Sequence, residues 1–361
     1  GSMVFVIFLI WLERKLLGLI QDRLGPNRLG PWGIIQPIAD MLKIFTKEYI
    51  TPAGADVVPY NLGPILTVGA VVGLMGVVPL AITVVGADLD VGVLYLVAIG
   101  GIGELGIILS GWGSNNKYAM LGAFRAVAQL LSYEVPLVVS LLVPVMLTGS
   151  LNLNDIVKAQ SVWFIIIAPV PAFIYLISSI AENGRSPFDL LEAESEIVSG
   201  FNVEYSGLKF GMFYVADFLH SFVIGLLFAT LFLGGWRGPG AEQYPILGFF
   251  YLVVKAAFPY FFILLLRGSL PRFRIDQMMN LNWKVLTPVS LAAVMVIALT
   301  DKLIPAGQPL WLRIAALIAA NVLVWLGAQF LLKRSRKRRV RRVVATGHRP
   351  VARPDSTSTL S

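Results

Sequence analysis

The chain has 361 residues, of which 57% are hydrophobic and only 14% are charged, whereas soluble globular proteins average about 25% charged residues. This composition and the mean hydropathy of +0.76 predict an integral membrane protein. Cysteine is absent and only two histidines occur, which excludes an iron–sulfur cluster, a thiolate zinc site or a disulfide built from this chain alone and argues against a histidine metal cluster. The net charge of +8 does not indicate a nucleic-acid partner, because ten of the 29 basic residues lie at 333–353, directly after an apolar segment.

The first apolar segment, 3–12, is too short to cross a bilayer. As a helix, its ten residues would span about 15 Å, roughly half of the hydrocarbon core. We therefore expect either a short or truncated first span or a short helix that lies in the membrane interface.

The following loop, 13–61, contains a segment with helical periodicity. Its apolar positions share one helical face and its polar positions share another. The apolar set is Ile34, Ile38, Met41, Leu42 and Phe45, and the polar set is Gln36, Asp40, Lys43 and Lys47. The pattern predicts an amphipathic interfacial helix over 34–46. Such a helix could form the floor of a cavity that opens sideways to lipid, or it could act only as a surface anchor.

Eight longer apolar segments follow, and each is long enough to cross the bilayer as a helix. They are 62–86, 91–111, 119–148, 161–181, 211–235, 246–267, 286–304 and 310–332. Together with the partial first segment, they predict an all-α integral membrane protein with about nine transmembrane helices. We expect a single polytopic membrane domain over 1–332 and a basic, disordered tail over 333–361.

The distribution of basic residues predicts the orientation in the membrane. If the loop after the first span is cytoplasmic, 24 of the 29 basic residues lie on the cytoplasmic side. Only Lys158, Arg237, Lys302 and Arg313 then lie outside, and Lys255 falls within a span. This asymmetry places the basic tail in the cytoplasm, together with the loop that follows the segment 161–181.

That loop carries an unusual concentration of acids. Between residues 182 and 204 there are six carboxylates and one cation, Arg185. The carboxylates belong to Glu182, Asp189, Glu192, Glu194, Glu196 and Glu204. Burial and like-charge repulsion raise the pKa of a carboxylate, so such a cluster could exchange protons near neutral pH. A solvated acidic surface is the alternative interpretation.

Ionisable residues also occur inside the apolar segments, at Glu104, Glu134, Asp217 and Lys255. A charge in a membrane span is costly and indicates function by default. One such residue could be a paired structural group, but four of them beside the acidic loop favour a polar path through the membrane. The pattern G-x-G-x-x-G at 101–106 lies within a span, so we reject a dinucleotide site and expect close helix packing instead.

Four groups of longer motifs occur in order along the chain. The first group is Glu13-Arg14-Lys15, Gln21-Asp22-Arg23-Leu24-Gly25-Pro26-Asn27-Arg28 and Gln36-Pro37-Ile38-Ala39-Asp40. The second group is Gly111-Trp112-Gly113-Ser114-Asn115, Arg125-Ala126-Val127-Ala128-Gln129 and Ser132-Tyr133-Glu134. The third group runs from Arg185-Ser186-Pro187-Phe188-Asp189 through Glu204-Tyr205, and the fourth is Arg267, Pro271-Arg272-Phe273-Arg274, Asp276-Gln277 and Trp283-Lys284. These motifs resemble the H subunit of bacterial NADH–quinone oxidoreductase, respiratory complex I, whose mitochondrial counterpart is NADH dehydrogenase subunit 1. The resemblance extends to about residue 300. The last span and the tail lie beyond the usual eight-span core, and Asp217 stands where the family usually has Glu.

The resemblance implies a membrane subunit of a proton-translocating enzyme that is not active alone. It implies a quinone as substrate, and FMN and iron–sulfur clusters held only by partner subunits. The implied partners are peripheral-arm and membrane-arm subunits of complex I. The basic tail separately predicts contact with anionic lipids, and we expect no nucleic-acid partner. The implied location is the bacterial inner membrane.

The matched motifs, together with the acids and the amphipathic helix described above, predict two sets of site residues, and we expect no metal site. Residues of the quinone chamber would be Arg14, Arg23, Asp40, Met41, Arg272 and Arg274. Residues of the proton path would be Glu134, Glu182, Asp189, Glu192, Glu194, Glu196, Glu204 and Asp217. Two alternatives stay open: the homologous subunit of a membrane-bound hydrogenase or other-donor dehydrogenase, and a stand-alone cation or proton transporter. The second is disfavoured, because the signature loop has no inverted repeat.

Overall fold

The computed structural model describes residues 2–190, 200–304 and 309–346, and the regular elements within these ranges are helical. The α-helices of the described ranges are α1 (Ser2–Ile20), α2 (Gln36–Thr46), α3 (Val57–Val77), α4 (Gly92–Gly113), α5 (Lys117–Thr148), α6 (Leu153–Ala159), α7 (Phe164–Ile167), α8 (Pro169–Glu182), α9 (Gly207–Phe232), α10 (Pro245–Ser269), α11 (Ile275–Leu281), α12 (Thr287–Leu303) and α13 (Leu310–Thr346). A π-helical turn, Asn282–Leu286, joins α11 to α12.

Seven helical stretches in the described ranges are long and apolar enough to cross a membrane. They are α3, α4, α5, α9, α10, the continuous stretch Ile275–Leu303 and Trp311–Phe330 within α13. Each overlaps one of the eight longer segments predicted from hydropathy. The structure therefore supports a multi-pass helical membrane protein, while the total of nine spans stays a prediction.

Prolines account for the main differences from the predicted spans. The segment 161–181 is divided into α7 and α8, because Ala168 precedes Pro169 and a residue before proline disfavours the helical conformation. Helix α8 is apolar but has only 14 residues. Helix α3 ends at Val77, well before the predicted end at residue 86, because Pro79 follows directly after Val78.

Helix α1 extends further than its apolar segment predicts. It continues through Glu13 and Arg14 to Ile20, since both residues favour helix and both find ion-pair partners. Helix α2 forms close to its predicted limits, with Pro37 tolerated in the first turn. It contacts α1 and α9, and Leu42 and Phe45 stay exposed. Its placement in the membrane interface stays a prediction.

Helix α9 is the most deeply buried of the seven candidate spans. Its apolar side chains, including Phe222, Leu226 and Phe232, belong to the main hydrophobic core. The helix packs against its neighbour in the chain, α10, and also against α1 and α3. Polar side chains on α9 are therefore held in a fixed environment, and Asp217 and His220 are two of them.

The last helix passes beyond the predicted membrane domain. Helix α13 ends at Thr346, so the helix includes the first basic residues of the segment assigned to the tail. The domain boundary near residue 332 stays a prediction, and residues 347–361 lie outside the described ranges.

Candidate functional site

A partly buried cluster of charges joins four parts of the chain, with Glu13 and Arg185 as its buried members. The guanidinium of Arg185 donates to Glu13 Oε2 over 2.6 Å and to Asp217 Oδ2 over 2.7 Å. Arg267, near the end of α10, donates to the other oxygen of Glu13. The ring of Phe218 lies 4.9 Å from the guanidinium carbon of Arg185, which adds a cation–π contact.

The cluster balances its charges, with two cations and two carboxylates. Burial alone would lower the pKa of Arg185, but the carboxylates of Asp217 and Glu13 outweigh it and raise the pKa above its usual value. Arg185 is therefore a fixed positive charge. Since its guanidinium contacts both α1 and α9, it fixes the start of the acidic loop against two helices.

A cavity of about 140 Å³ adjoins this cluster. Its polar walls come from the end of α8, the acidic loop, α9 and α10, and from Thr67 on α3. The ionisable residues that line it are Glu182, Arg185, Asp189, Asp217, His220 and Arg267. The other walls are mainly apolar and include Val71, Ile107 and Phe213.

A second, smaller cavity of about 40 Å³ continues into the helices. Glu182 and His220 line both cavities, and Glu134 lines only the second. The remaining walls are mostly leucine and other apolar side chains. The two cavities therefore align ionisable groups from the acidic loop toward the middle of α5.

Glu104 lies near the same acids. Glu104 is on α4 one turn after Gly100, and a Cβ atom at Gly100 would lie 3.6 Å from Glu182 Oε1. The charges of Glu104 and Glu134 both act on Glu182. Three helices thus each contribute one carboxylate, although sequence motifs did not assign a role to Glu104.

Hydrogen bonds from three directions hold the first part of the acidic loop. The Gln129 side-chain amide donates to the carbonyls of Ala181 and Phe188, each over 2.7 Å. Asn183 Nδ2 donates to Ser221 Oγ over 2.7 Å. The backbone N–H of Phe273 donates to the Pro187 carbonyl over 2.9 Å, which ties this loop to the segment between α10 and α11.

Glu204 belongs to a different site from Glu182 and Asp189. Asn116 Nδ2 donates to Glu204 Oε1 over 2.7 Å, and Glu204 lines an open pocket beside the start of α5. The next residue, Tyr205, stacks on Tyr60 with ring centroids 4.3 Å apart and donates to the Tyr60 carbonyl over 2.9 Å. Burial raises the pKa of Tyr205, so its hydroxyl stays a donor at neutral pH.

The residues predicted to contact quinone lie on two surfaces. Arg14 on α1 forms an ion pair with Asp40 on α2, and both side chains are partly exposed. Met41 follows on α2 and is half-buried. Arg23 lies on the exposed turn after α1.

Arg272 and Arg274 flank Phe273, and Arg274 is exposed. The ring of Phe273 lies 5.5 Å from that of Phe188 in the acidic loop. These two arginines therefore lie beside the loop that lines the larger cavity. Glu192, Glu194 and Glu196 lie outside the described residues.

Sequence reasoning missed three members of the site: Glu13, Arg267 and His220. Glu13 and Arg267 lay within motifs but without an assigned partner, since pairing across the chain leaves no periodic signal. His220 lies three residues after Asp217, and this spacing places both on one face of α9. In the part of the chain that the structure describes, no group of three or more His, Cys, Asp or Glu side chains could hold a metal ion.

The fold and this site define a multi-pass helical membrane protein whose partly buried charge cluster adjoins a row of carboxylates. Residues 1–298 match the family model for NADH dehydrogenase, and the chain belongs to the family of H subunits of NADH–quinone oxidoreductase. The H subunit of Dehalococcoides mccartyi (strain CBDB1) is 45% identical over 92% of this chain and 91% of its own length. The second H subunit of Geobacter sulfurreducens is 47% identical over 80% of this chain and 89% of its own length. The H subunit of Geobacillus sp. (strain WCH70) is 44% identical over 83% of this chain and 91% of its own length.

Proposed function

We propose that this chain is the membrane subunit of a proton-translocating NADH–quinone oxidoreductase that forms much of the quinone chamber and couples quinone reduction to proton transfer. The names of its relatives supply the class of reaction and the quinone substrate. The chain would act with peripheral-arm subunits that carry FMN and iron–sulfur clusters, and with membrane-arm subunits that continue the proton path.

The observation that carries the coupling proposal is the pair of cavities that share Glu182 and His220. Both cavities exceed the volume that one water molecule needs, and both have polar groups in their walls. Water bridging Asp189, Glu182 and Glu134 would give protons a route along α5 and α8. Apolar walls limit other exits, so a proton on this route is directed along the acids.

The charge cluster supplies the link between quinone and this route. A change of charge beside the acidic loop acts on Glu182 through a low-dielectric region, where Coulomb interactions weaken less than in water. The fixed charge of Arg185 pairs with Asp217 and keeps it beside His220. Protonation would then change first at Glu182 and at the acids of the loop.

The contact between α1 and α2 supports the quinone part of the proposal. A quinone site needs an apolar channel for the tail and a few polar groups at the head. The half-buried Met41 and the exposed Leu42 and Phe45 provide apolar surface on α2. The ion pair of Arg14 with Asp40 provides polar groups on the same helix pair.

The test uses the assembled complex with Glu182→Gln, which keeps the size of the side chain and removes its proton site. We expect quinone reduction and proton pumping to fall by about a hundredfold, the lower range for a positioned proton-transfer group. NADH oxidation by an artificial acceptor, which needs only the partner arm, should survive. Asp155→Asn, which changes an exposed acid in α6, is the matched control. Assembled Glu182→Gln complexes that pump like the wild type would refute the relay.

A further inference from the structure

At the far end of α9 and α10 from the Arg185 cluster, the helical hairpin contains an open pocket of about 390 Å³. The pocket lies between the turn after α9, the start of α10 and the residues that join α6 to α7. Six side chains define its chemistry: Gln160, Trp163, Arg237, Glu242, Tyr251 and Lys255. The proposed proton path uses none of them.

Two cations in this pocket retain unused hydrogen-bond donors. Lys255 Nζ donates to the carbonyls of Gly235 and Arg237 over 3.0 and 2.7 Å, which leaves one of the three donors of an ammonium group. Arg237 uses Nη1 for the carbonyls of Lys158 and Gln160. Its Nε and Nη2 have no protein partner among the described residues, and neither cation pairs with a described carboxylate. An anion with several oxygens would satisfy these donors.

The pocket also offers an acceptor that lacks a partner. Gln160 is 2% exposed, and its Nε2 donates to the carbonyls of Thr230 and Leu231 over 2.9 and 3.1 Å. An oxygen cannot donate, so these bonds fix the amide orientation, and Oε1 has no partner within the described ranges. A Cβ atom at Gly234 would lie 3.8 Å from this oxygen, an ordinary van der Waals distance. The oxygen itself has almost no exposed surface, so a ligand would reach it only after a neighbouring side chain shifts. A ligand that reaches Oε1 must carry an N–H or O–H donor.

The residues around the pocket are suited to contact with a lipid surface. The indole of Trp163 is exposed and lies 5.6 Å from Lys255 Nζ, and tryptophan is enriched where membrane meets water. Val254 and Phe258 lie on the same face of α10 as Tyr251 and Lys255 and form an apolar stripe there. They are 52% and 65% exposed, respectively. An acyl chain could lie along this stripe while its headgroup occupies the pocket.

We propose that this pocket binds a membrane phospholipid with an ethanolamine headgroup. Arg237 and Lys255 would hold the phosphodiester, and the ammonium would donate to Gln160 Oε1 and to the exposed carboxylate of Glu242. Choline offers no N–H or O–H donor to the buried oxygen. A glycerol headgroup offers hydroxyl donors but no positive charge for Glu242. The arrangement therefore selects ethanolamine over both.

The test places the complex that contains the full chain in phosphatidylcholine nanodiscs that hold a minor fraction of phosphatidylethanolamine or phosphatidylglycerol. Mass spectrometry then quantifies the lipid that stays with the protein after mild delipidation. We expect phosphatidylethanolamine to be retained in preference to both other lipids. Arg237→Gln should reduce its retention about tenfold, the factor expected for loss of one charge-assisted hydrogen bond. Lys302→Gln, which changes an exposed cation outside the pocket, should leave retention unchanged.

Glu242→Gln tests the headgroup separately. Because Glu242 is exposed, this variant should fold even if Arg237→Gln does not. We expect it to remove the preference for phosphatidylethanolamine over phosphatidylglycerol and to keep phosphodiester binding. Equal retention of phosphatidylcholine by the wild type, or an unchanged preference in Glu242→Gln, would overturn the proposal.

Discussion

The guanidinium of Arg185 donates a 2.6 Å hydrogen bond to the carboxylate of Glu13, although the two residues are 172 positions apart. Both side chains are 2% exposed. Removing one member of a buried ion pair leaves an uncompensated charge, which costs about 3–5 kcal/mol. The contact therefore acts as a structural clamp between α1 and the acidic loop, and Arg267 extends it to α10.

Replacing Arg185 by Met should reduce stability by about 3 kcal/mol, the lower end for a broken buried ion pair, because Glu13 keeps Arg267 as a partner and Asp217 is partly exposed. Chemical unfolding of the purified chain in detergent measures the change. Arg313→Met is the matched control, since its ion pair with Asp301 is partly exposed and should contribute at most about 1 kcal/mol. Equal losses in the two variants would contradict the clamp.

The sequence predicted helices better than it predicted contacts. Long apolar segments must be helical in lipid, so hydropathy located seven candidate spans. Prolines at 79 and 169 changed the limits of two segments, and their effect depends on local backbone geometry rather than on hydropathy. Helix α1 continued through charged residues, because ion pairs that hydropathy does not register neutralise Glu13 and Arg14.

The sequence predicted which acids belong to the candidate site, but it did not predict which of them lie together. Glu182 and Asp189 line one cavity, whereas Glu204 bonds to Asn116 in another pocket. Their closeness in sequence did not determine which helices they contact. The described partners of Arg185 are Glu13 on α1 and Asp217 on α9, and the sequence predicted neither pair. Such long-range pairs depend on the packing of whole helices.

Met41→Trp tests the predicted quinone route along α2. Met41 is half-buried and follows Asp40, which pairs with Arg14. The indole ring of tryptophan is bulkier than the methionine side chain and should narrow the predicted quinone channel. We expect the apparent KM for quinone to rise, while NADH oxidation by an artificial acceptor is preserved. Met41→Leu, which nearly conserves volume, should behave like the wild type. Unchanged quinone kinetics in an assembled Met41→Trp complex would remove Met41 from the channel wall.

The orientation of the C-terminus can be tested by cysteine labelling, because the chain itself has no cysteine and an introduced thiol is the only one that it carries. The basic residues of the segment 333–361 should lie in the cytoplasm and attract anionic headgroups, by about 1 kcal/mol per close residue. The thiol of a Ser356→Cys variant should therefore resist a membrane-impermeant reagent added to intact cells. The thiol of Lys302→Cys, predicted to lie outside, should react with that reagent. Labelling of Ser356→Cys from the periplasm would reverse the topology.

The sequence predicts a coupled pair of acids at Glu192 and Glu196, and both residues lie outside the described ranges. If 191–200 is helical, these two acids share a face at a spacing of four residues, where like charges repel. Near a low-dielectric boundary the repulsion grows, so the pair should share a proton. Glu194 would point elsewhere and serves as the control.

Glu192→Gln and Glu196→Gln keep side-chain size but remove a proton site. If the pair passes charge changes from quinone to Glu182 and Glu134, each variant should assemble normally yet lose most quinone reduction and proton pumping. Glu194→Gln should lose much less, because its carboxylate is outside the coupled pair. If the acids are only neutralised by partner subunits, all three variants should assemble and pump alike. That outcome would make this pair structural and would leave the relay to Asp189 and Glu182.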